Sequence, residues 1–253
     1  MLNSNERPAQ GIKFEKEDAD GNITTISNLK TTEAGVSLRY VHNEKFVQER
    51  RRRREVPSEI FTAELINTTA IKDLLGGQYG FHKTTLKLAK SLWVTPYGKL
   101  HMSAQGEKRW GTAPFISLIP PLANSSFTLQ SPSSHLLEPL EIVHDQQITW
   151  EVYYHMGGWL FNRIPLFKYL KWREVFGFRG FYGTLNNKNN PNYNHDLIRV
   201  PQDLSFQTRG KKPYLEYNIG IENIFTFFRI DYVRRVNYLY HPDIDKSGIR
   251  FTF

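Results

Sequence analysis

Histidines beside hydroxyl and carboxylate side chains are the residues of this sequence best suited to chemistry, because imidazole exchanges protons near neutral pH. His101 shares the polar face of a predicted strand with Ser103 and Glu107, and His155 shares a strand face with Glu151. A histidine with a hydroxyl and a carboxylate is the set of groups that a hydrolytic site uses. The same spacing is also that of an ordinary polar strand face, and we favour this second interpretation.

A second set of titratable residues lies in and just after the Pro- and Ser-rich stretch 111–143. His135, His144 and Asp145 would be the acid and base candidates of an enzyme acting at the outer leaflet of a membrane. The eight histidines show no metal-ligand spacing, and the chain has no cysteine, no glycine-rich phosphate loop, no G-x-S-x-G and no H-E-x-x-H. We therefore predict no catalytic residues, no cofactor and no metal.

Arg50–Arg54 form the strongest charge run of the chain, preceded by Gln48 and Glu49 and followed by Glu55. Such a run is typical of a solvated turn, which is the interpretation we favour. Contacts with lipid headgroups or with nucleic-acid phosphates are the functional alternatives.

Strands with alternating polarity must position these residues, and the clearest of them covers 147–156. One of its faces is polar and carries Gln147, Thr149, Glu151, Tyr153 and His155. The other is apolar and carries Ile148, Trp150, Val152, Tyr154 and Met156. The apolar face would be the core of a soluble sandwich or the lipid-facing side of a membrane barrel. We predict that these five apolar residues face lipid.

The same alternation recurs along the chain and predicts about ten strands, mostly consecutive and therefore antiparallel. Charged residues fall on the faces opposite to the apolar ones. A charge inside a barrel is tolerated where water or a partner of opposite sign solvates it. We predict that the barrel interior is lined by Lys99, Glu107, Glu151, Glu216, Glu222, Arg229 and Asp231.

The predicted connections between strands differ in length from one end of the strands to the other. The long polar segments 111–143 and 186–212 fall at one end, whereas the short turns 95–98 and 223–226 and the amphipathic segment 158–172 fall at the other. Outer-membrane barrels have long external loops and short periplasmic turns. The sorting favours a barrel over a soluble sandwich.

Composition is compatible with one large all-β domain. The chain has 253 residues, of which 40% are hydrophobic and 14% aromatic, with a formal charge of +8. It contains no run of 18 apolar residues and no apolar core of a signal peptide near its beginning. We predict a polar segment or partial first hairpin over 1–30 and an outer-membrane barrel portion over 31–253. Because an outer-membrane protein needs a signal peptide, we expect the chain to be the C-terminal part of a longer protein.

The last predicted strand has the pattern of a membrane-insertion signal. Ile249, Phe251 and Phe253 alternate with Arg250 and Thr252. The pattern of polar, glycine and aromatic residues resembles the C-terminal signal by which bacterial outer-membrane barrels are recognised for insertion. The positions that match are Lys246, Gly248, Phe251 and Phe253.

Three stretches carry a resemblance to a known family: GGWLFNRIPLFKYLKWREV (157–175), GIENIFTFFRIDYVRRVNYL (220–239) and HPDIDKSGIRFTF (241–253). They resemble the C-terminal barrel of a Bacteroidota outer-membrane family of unknown function. Full-length members carry a signal peptide and a carboxypeptidase-regulatory-like domain. More distantly, the layout resembles the surface-antigen barrel superfamily to which BamA belongs. The resemblance implies an antiparallel transmembrane β-barrel and supplies no catalytic residues.

Three classes of function stay open from the sequence. We favour a non-enzymatic barrel of the cell outer membrane that transports a solute or translocates or inserts a polypeptide. Its expected partners are outer-membrane lipid and the barrel assembly machinery, with other outer-membrane or periplasmic proteins as candidates. The alternatives are an outer-leaflet barrel enzyme and a soluble basic all-β module that binds nucleic acid. Against the last, aromatic residues mostly fall on uncharged faces, whereas nucleic-acid binding needs them beside cations.

Overall fold

The computed structural model describes residues 2–6, 14–17, 23–26, 28–49, 52–56, 59–191, 193–194, 197–198, 212–239 and 244–253. Within these ranges the chain forms strands, short 3-10 turns and the helix α1 (Pro165–Leu170). The strands are β1 (Leu2–Glu6), β2 (Phe14–Glu17), β3 (Ile23–Ile26), β4 (Leu29–His42), β5 (Lys45–Glu49), β6 (Arg52–Val56), β7 (Phe61–Ala70), β8 (Phe81–Trp93), β9 (Lys99–Gly111), β10 (Gln146–His155), β11 (Arg173–Thr184), β12 (Tyr214–Ile224), β13 (Phe228–Arg235) and β14 (Ser247–Thr252). None of the described helices is long and apolar enough to cross a membrane.

Ten strands form one sheet in the order β1-β4-β7-β8-β9-β10-β11-β12-β13-β14. All neighbours that pair in it are antiparallel. The predicted all-β, antiparallel architecture is therefore confirmed. Closure is not: β1 and β14 lie at opposite edges, and within the described residues they do not pair with each other. The strands β2–β3 and β5–β6 form two separate hairpins.

Two predictions for the first part of the chain differ from the structure. The run Arg50–Arg54 was expected in a turn, but Arg52–Arg54 belong to β6, which pairs with β5. The Phe46-Val47 pair in β5 favours a strand, and strand pairing extends into the arginines. Arg50 and Arg51 lie outside the described residues. Leu2–Glu6 forms β1 and pairs with Leu29–Glu33, so the boundary predicted between residues 30 and 31 lies inside β4.

From β8 to β13, connections of different length lie at the two ends of the sheet, as the sequence predicts, whereas the longer connection from His42 to Phe61 lies at the same end as the short turns. We call the end that carries residues 94–98, 156–172 and 225–227 the short-turn end. The opposite end, which we call the long-loop end, carries 112–145 and begins the connection between β11 and β12. From β8 to β13 consecutive strands are antiparallel, so successive connections lie at alternating ends of the sheet.

The two faces of the sheet have the opposite polarity to those of a soluble sheet. We call the face against residues 112–145 the inner face and the other the outer face. On the inner face Glu216, Asp231 and Arg235 are 0%, 0% and 1% exposed. On the outer face Val36 and Leu38 are 68% and 66% exposed. The charged face is thus buried and the apolar face is open.

Residues 112–145, which we call the insert, fold back from the long-loop end over the inner face. The sequence predicted a long external loop here, at one end of the strands, and the structure shows that much of it is also buried against the strands. Leu118 and Val143 pack with Phe81 of β8. Leu137 and Ile142 pack with the stacked rings of β11 and β12. The apolar side chains of the insert are removed from water in this way, which explains its path.

Candidate functional site: a charged sheet face covered by the insert

The seven residues predicted to line an interior all lie on the inner face, at alternating positions of four strands. Lys99 and Glu107 are in β9, and Glu151 is in β10. Glu216 and Glu222 are in β12, and Arg229 and Asp231 are in β13. The strand register puts all of them on one side, because the side chains of directly paired residues point the same way.

Ion pairs connect neighbouring strands across the inner face. Arg179 of β11 lies directly opposite Glu151, and their side chains approach to 3.4 Å. Lys87 lies opposite Glu64, with 3.3 Å between Nζ and Oε2. Both signs of charge therefore alternate across the sheet, which compensates part of the cost of removing them from water.

Asp231 is the one carboxylate of β13 and has no exposed side-chain surface. It accepts two hydrogen bonds from Arg229, at 2.6 and 2.8 Å, and one from Asn218 Nδ2 at 2.7 Å. Bidentate pairing fixes the guanidinium plane. The Asp231 carboxylate therefore orients Arg229 along the inner face.

Glu216 attaches the insert to the sheet. Its two carboxylate oxygens accept the backbone N–H groups of His135 and Leu136, at 2.9 and 2.8 Å. The hydroxyl of Tyr214 donates a further hydrogen bond to the same carboxylate. Hydrogen bonds from backbone N–H groups to a carboxylate are charge-assisted and therefore strong. We call the contact of Glu216 with His135 and Leu136 the clamp. The clamp fixes the middle of the insert on β12.

Arginines of the inner face hold the insert at further points. Arg235 pairs with Glu141 of the insert at 2.6 Å and is 1% exposed. Arg250 Nη2 donates to the carbonyl of His135 at 2.5 Å, and Arg179 donates to the carbonyl of Ser133. The inner face thus binds the insert mostly through charged groups on backbone atoms.

A cavity of about 410 Å³ lies between the insert and the strands β8, β9 and β10. Its polar lining includes Lys87, Gln105, Glu107, Gln147 and Glu151, and prolines of the insert form its other wall. The insert therefore leaves part of the inner face uncovered on this side. This space is large enough for several water molecules or a small solute.

His135, His144 and Asp145 do not form a catalytic group. Each is buried, with 1%, 3% and 1% exposure. His144 bonds Gln147 at 2.9 Å, whereas His135 approaches Asn124 at 3.2 Å. Asp145 accepts the side-chain amides of Asn186 and Asn189, at 2.7 and 2.9 Å. These bonds join the insert to the start of the next long connection, a structural role.

Burial sets the protonation of the two insert histidines. It lowers the pKa of His135 to about 2, and the positive charges of Arg179, Arg250 and Arg229 add to the effect. Burial also lowers the pKa of His144, while the hydrogen bond that His144 donates to Gln147 Oε1 and the charge of Asp145 act in the opposite direction. Both imidazole rings are buried, so a substrate dissolved in water would not contact them.

The two histidines of the polar strands have other partners than the sequence suggested. His101 approaches Ser91 Oγ at 2.7 Å, on the neighbouring strand, rather than Ser103. His155 approaches Glu222 Oε2 at 2.9 Å rather than Glu151. Ser91 lies directly opposite His101 on β8, whereas Glu222 lies on β12, one strand beyond the neighbour of β10. This geometry supports polar pairing rather than a hydrolytic site.

The five residues predicted to face lipid lie on or just beyond the outer side of β10. Ile148 is 49% exposed, and Trp150, Val152, Tyr154 and Met156 are partly exposed. Trp150 covers Gly180 on β11, where a Cβ atom would approach the indole to 2.7 Å. The outer side chains of β10 are therefore partly exposed, and Trp150 also packs against the neighbouring strand β11.

The residues of the predicted insertion signal occupy the last strand and its flanks. Lys246 precedes β14, Gly248 lies on its inner side, and Phe253 is 72% exposed. The N–H of Phe251 donates to Phe127 at 3.0 Å, and its carbonyl accepts Leu129 N–H at 2.8 Å. The insert therefore also pairs with the outer edge of β14.

Sequence reasoning missed four charged residues that hold the insert: Glu141, Arg179, Arg235 and Arg250. For the three arginines the alternation itself was a usable signal, because each shares the parity of the polar face of its strand. Glu141 lies in a loop, where no periodicity predicts a partner. Among the described residues, no three acidic or histidine side chains converge as a metal site.

No known protein family, curated protein sequence or solved structure matches this chain.

Proposed function

We propose that this chain is part of the wall of a non-enzymatic β-barrel in the cell outer membrane, through which a solute or a polypeptide passes. The observation that carries the proposal is the inverted polarity of the sheet. Charged residues are buried on the inner face, whereas large apolar residues are open on the outer face. In water a sheet is more stable with its apolar face buried and its charged face exposed, because each large apolar side chain left exposed loses a burial free energy of roughly 1.5–3 kcal/mol.

The extent of the uncharged surface supports lipid as the medium. One row of laterally paired outer residues crosses seven strands without a charge: Tyr40, Ala63, Leu88, Ala104, Trp150, Gly180 and Leu215. Apolar patches this wide on a protein mark contact with lipid or with another protein. The open sheet also needs its edges covered, since unpaired strand edges are not stable in hydrocarbon.

The inner face supports passage rather than catalysis. Its buried charges pair with one another or with the insert, and His101 and His155 bond side chains of other strands. The insert packs against strands from β8 to β14, and a cavity remains between it and β8, β9 and β10. We infer that a solute would use this cavity, and that a larger cargo would require the insert to move.

Single cysteines test the proposal, because the native chain has none. The chain is reconstituted in phosphatidylcholine vesicles after substitution of Val152→Cys on the outer face or Gln105→Cys on the inner face. We expect a membrane-dissolved maleimide to label residue 152 and a water-soluble one to label residue 105. Labelling of residue 152 from water, with a chain that stays in solution without detergent, would reject the membrane barrel and favour a soluble all-β module.

A further inference from the structure

The short-turn end carries large apolar side chains in open positions. Tyr169, Phe225, Phe227 and Leu166 are 85%, 80%, 67% and 66% exposed. The side chains of Leu160, Ile164 and Leu170 are each at least 40% exposed. We call the surface formed by residues 157–173 and 225–227 the apolar rim. Concentrated apolar exposure of this kind marks a contact surface.

The apolar rim is held in shape by contacts on its inner side. Phe167 stacks on Phe161 at 4.6 Å and on Trp172 at 5.7 Å. Asn223 Nδ2 donates to the carbonyl of Lys171 at 2.7 Å, which joins the two connections. The exposed residues therefore project from an ordered base rather than from a collapsed loop.

Cations and apolar residues are interleaved along the rim. Residues 157–173 include Arg163, Lys168, Lys171 and Arg173 and contain no aspartate or glutamate. The first three are exposed, and within the described part of the chain none of them forms an ion pair. The guanidinium of Arg163 lies over the ring of Trp159, at 4.7 Å from its centroid. These charges are available to an anionic partner.

We propose that the apolar rim binds phospholipids with anionic headgroups, which deepens the function proposed above and rests on it. Arg163, Lys168 and Lys171 contact the phosphates. Leu166, Tyr169 and Phe225 lie at the boundary between headgroups and acyl chains. An interleaved pattern of cations and apolar side chains is typical of segments that lie in a membrane interface.

Continuity with the outer face favours a lipid surface over a protein partner. Tyr154 of the outer face donates its hydroxyl hydrogen bond to the carbonyl of Tyr97 at 2.8 Å. The ring of Tyr97 in turn packs edge-on against Trp159 of the rim, at 5.8 Å. An aromatic band at the end of an apolar sheet face is where a bilayer changes from hydrocarbon to headgroup.

Spin labels measure the depth of the rim in vesicles of phosphatidylcholine with added phosphatidylglycerol. Tyr169→Cys and Phe225→Cys report on the rim. Tyr193→Cys is the matched control, since it is also an exposed aromatic residue, at 68%, and lies at the long-loop end. We expect labels at 169 and 225 to collide with oxygen in the bilayer and the label at 193 to collide with a water-soluble nickel complex. Equal water exposure of the three labels would overturn the proposal.

Lipid preference tests the three cations. Spin-labelled phosphatidylglycerol and phosphatidylcholine are compared for the fraction immobilised by the protein. We expect a preference of about fivefold for phosphatidylglycerol, the contribution of roughly one cation near a charged surface. The triple variant Arg163→Gln, Lys168→Gln, Lys171→Gln should lose it.

The matched control removes the same charge at the long-loop end, with Lys72→Gln, Lys188→Gln and Lys212→Gln, all exposed. This variant should keep the preference; equal loss in both triple variants, or in neither, overturns the proposal. A label at Val152→Cys separates the two ideas. If the label at residue 152 is exposed to water while the labels at 169 and 225 lie in the bilayer, only the barrel proposal is refuted. If the label at residue 152 lies in lipid while the labels at 169 and 225 are exposed to water, only the proposal for the apolar rim is refuted.

Discussion

Arg179 and Glu151 lie directly opposite each other on β11 and β10 and are 3% and 5% exposed, so they form an ion pair almost out of contact with water. Arg179 also reaches the hydroxyl of Tyr153 and the carbonyl of Ser133 in the insert. One guanidinium therefore joins two strands and the segment that covers them.

Removal of one partner of this pair should destabilise the protein more than removal of both. Arg179→Met leaves the Glu151 carboxylate buried without its cation, at a cost of about 3–5 kcal/mol. The double variant Arg179→Met, Glu151→Leu should recover most of the loss. Denaturant unfolding in detergent micelles measures the free energy of unfolding.

The half-exposed pair Lys87–Glu64 is the control for this experiment. Its side chains are 45% and 29% exposed, so Lys87→Met should cost less than about 1 kcal/mol. Equal costs for the two single variants would show that the inner face around Arg179 is open to water.

Glu216→Gln should loosen the insert. The amide replaces one acceptor oxygen by an NH₂ group, so one of the N–H groups of His135 and Leu136 faces a donor. A hydrogen bond to a charged group contributes about 1.5–3 kcal/mol. Hydrogen exchange of these two amides should therefore accelerate by about 10- to 100-fold.

Glu107→Gln is the matched control, because Glu107 bonds Gln105 at 2.5 Å and lies near Arg109 without holding the insert backbone. Exchange at His135 and Leu136 should not change in this variant. Acceleration in both variants would mean that the insert responds to the net charge of the inner face rather than to the clamp.

Acid should destabilise the folded protein through His135. Its folded pKa is about 2, against 6.5 in an unfolded chain, so the unfolded state takes up a proton first as the pH falls. Stability is therefore retained above about pH 6.5 and lost progressively below it, by at most about 1.4 kcal/mol per pH unit. Thermal unfolding from pH 7 to pH 4 measures the loss.

Comparison with His135→Gln isolates this histidine from the carboxylates that titrate in the same range. The variant should lose less stability per pH unit between about pH 6 and pH 4 than the native chain. Parallel curves for the two proteins would exclude His135 as a source of the acid sensitivity.

Two glycines of the outer face should respond in opposite ways to alanine. At Gly180 a Cβ atom would lie 2.5 Å from the carbonyl of Tyr214 and 2.7 Å from the indole of Trp150, so Gly180→Ala should cost about 1–3 kcal/mol. At Gly106 an added Cβ atom would have no atom of the described residues within 4 Å apart from residues 105–107, so Gly106→Ala should be neutral or stabilise by up to about 1 kcal/mol. The two unfolding curves are compared under the same conditions; destabilisation by both variants would contradict the packing difference.

The strands and their faces were predictable from the sequence because strand periodicity is local. Alternation in 147–156 and 214–222 placed Glu151 and Glu216 on the polar side, and the register agrees. Loop lengths also placed 112–145 and the turn near 225 at opposite ends. Each of these properties depends on residues close together in the chain.

The partners across the sheet could not be predicted in the same way. His101 bonds Ser91, and Arg235 pairs with Glu141, although nothing in their spacing indicates it. Cross-strand neighbours depend on register, and register depends on the lengths of turns and on which face must be buried. The run Arg50–Arg54 likewise looked like a turn because its pairing with β5 is not visible in its composition.

The sequence by itself determined that this chain is an antiparallel all-β protein with a charged and an apolar face on each long strand. Only the tertiary structure decided that the insert folds back onto the charged face, with Glu216 on the backbone of His135 and Leu136. The physical reason is that a polar loop has no periodicity. Its path follows from where its apolar side chains find a surface and its backbone groups find charged partners, and the Glu216 carboxylate lies about eighty residues away in the chain.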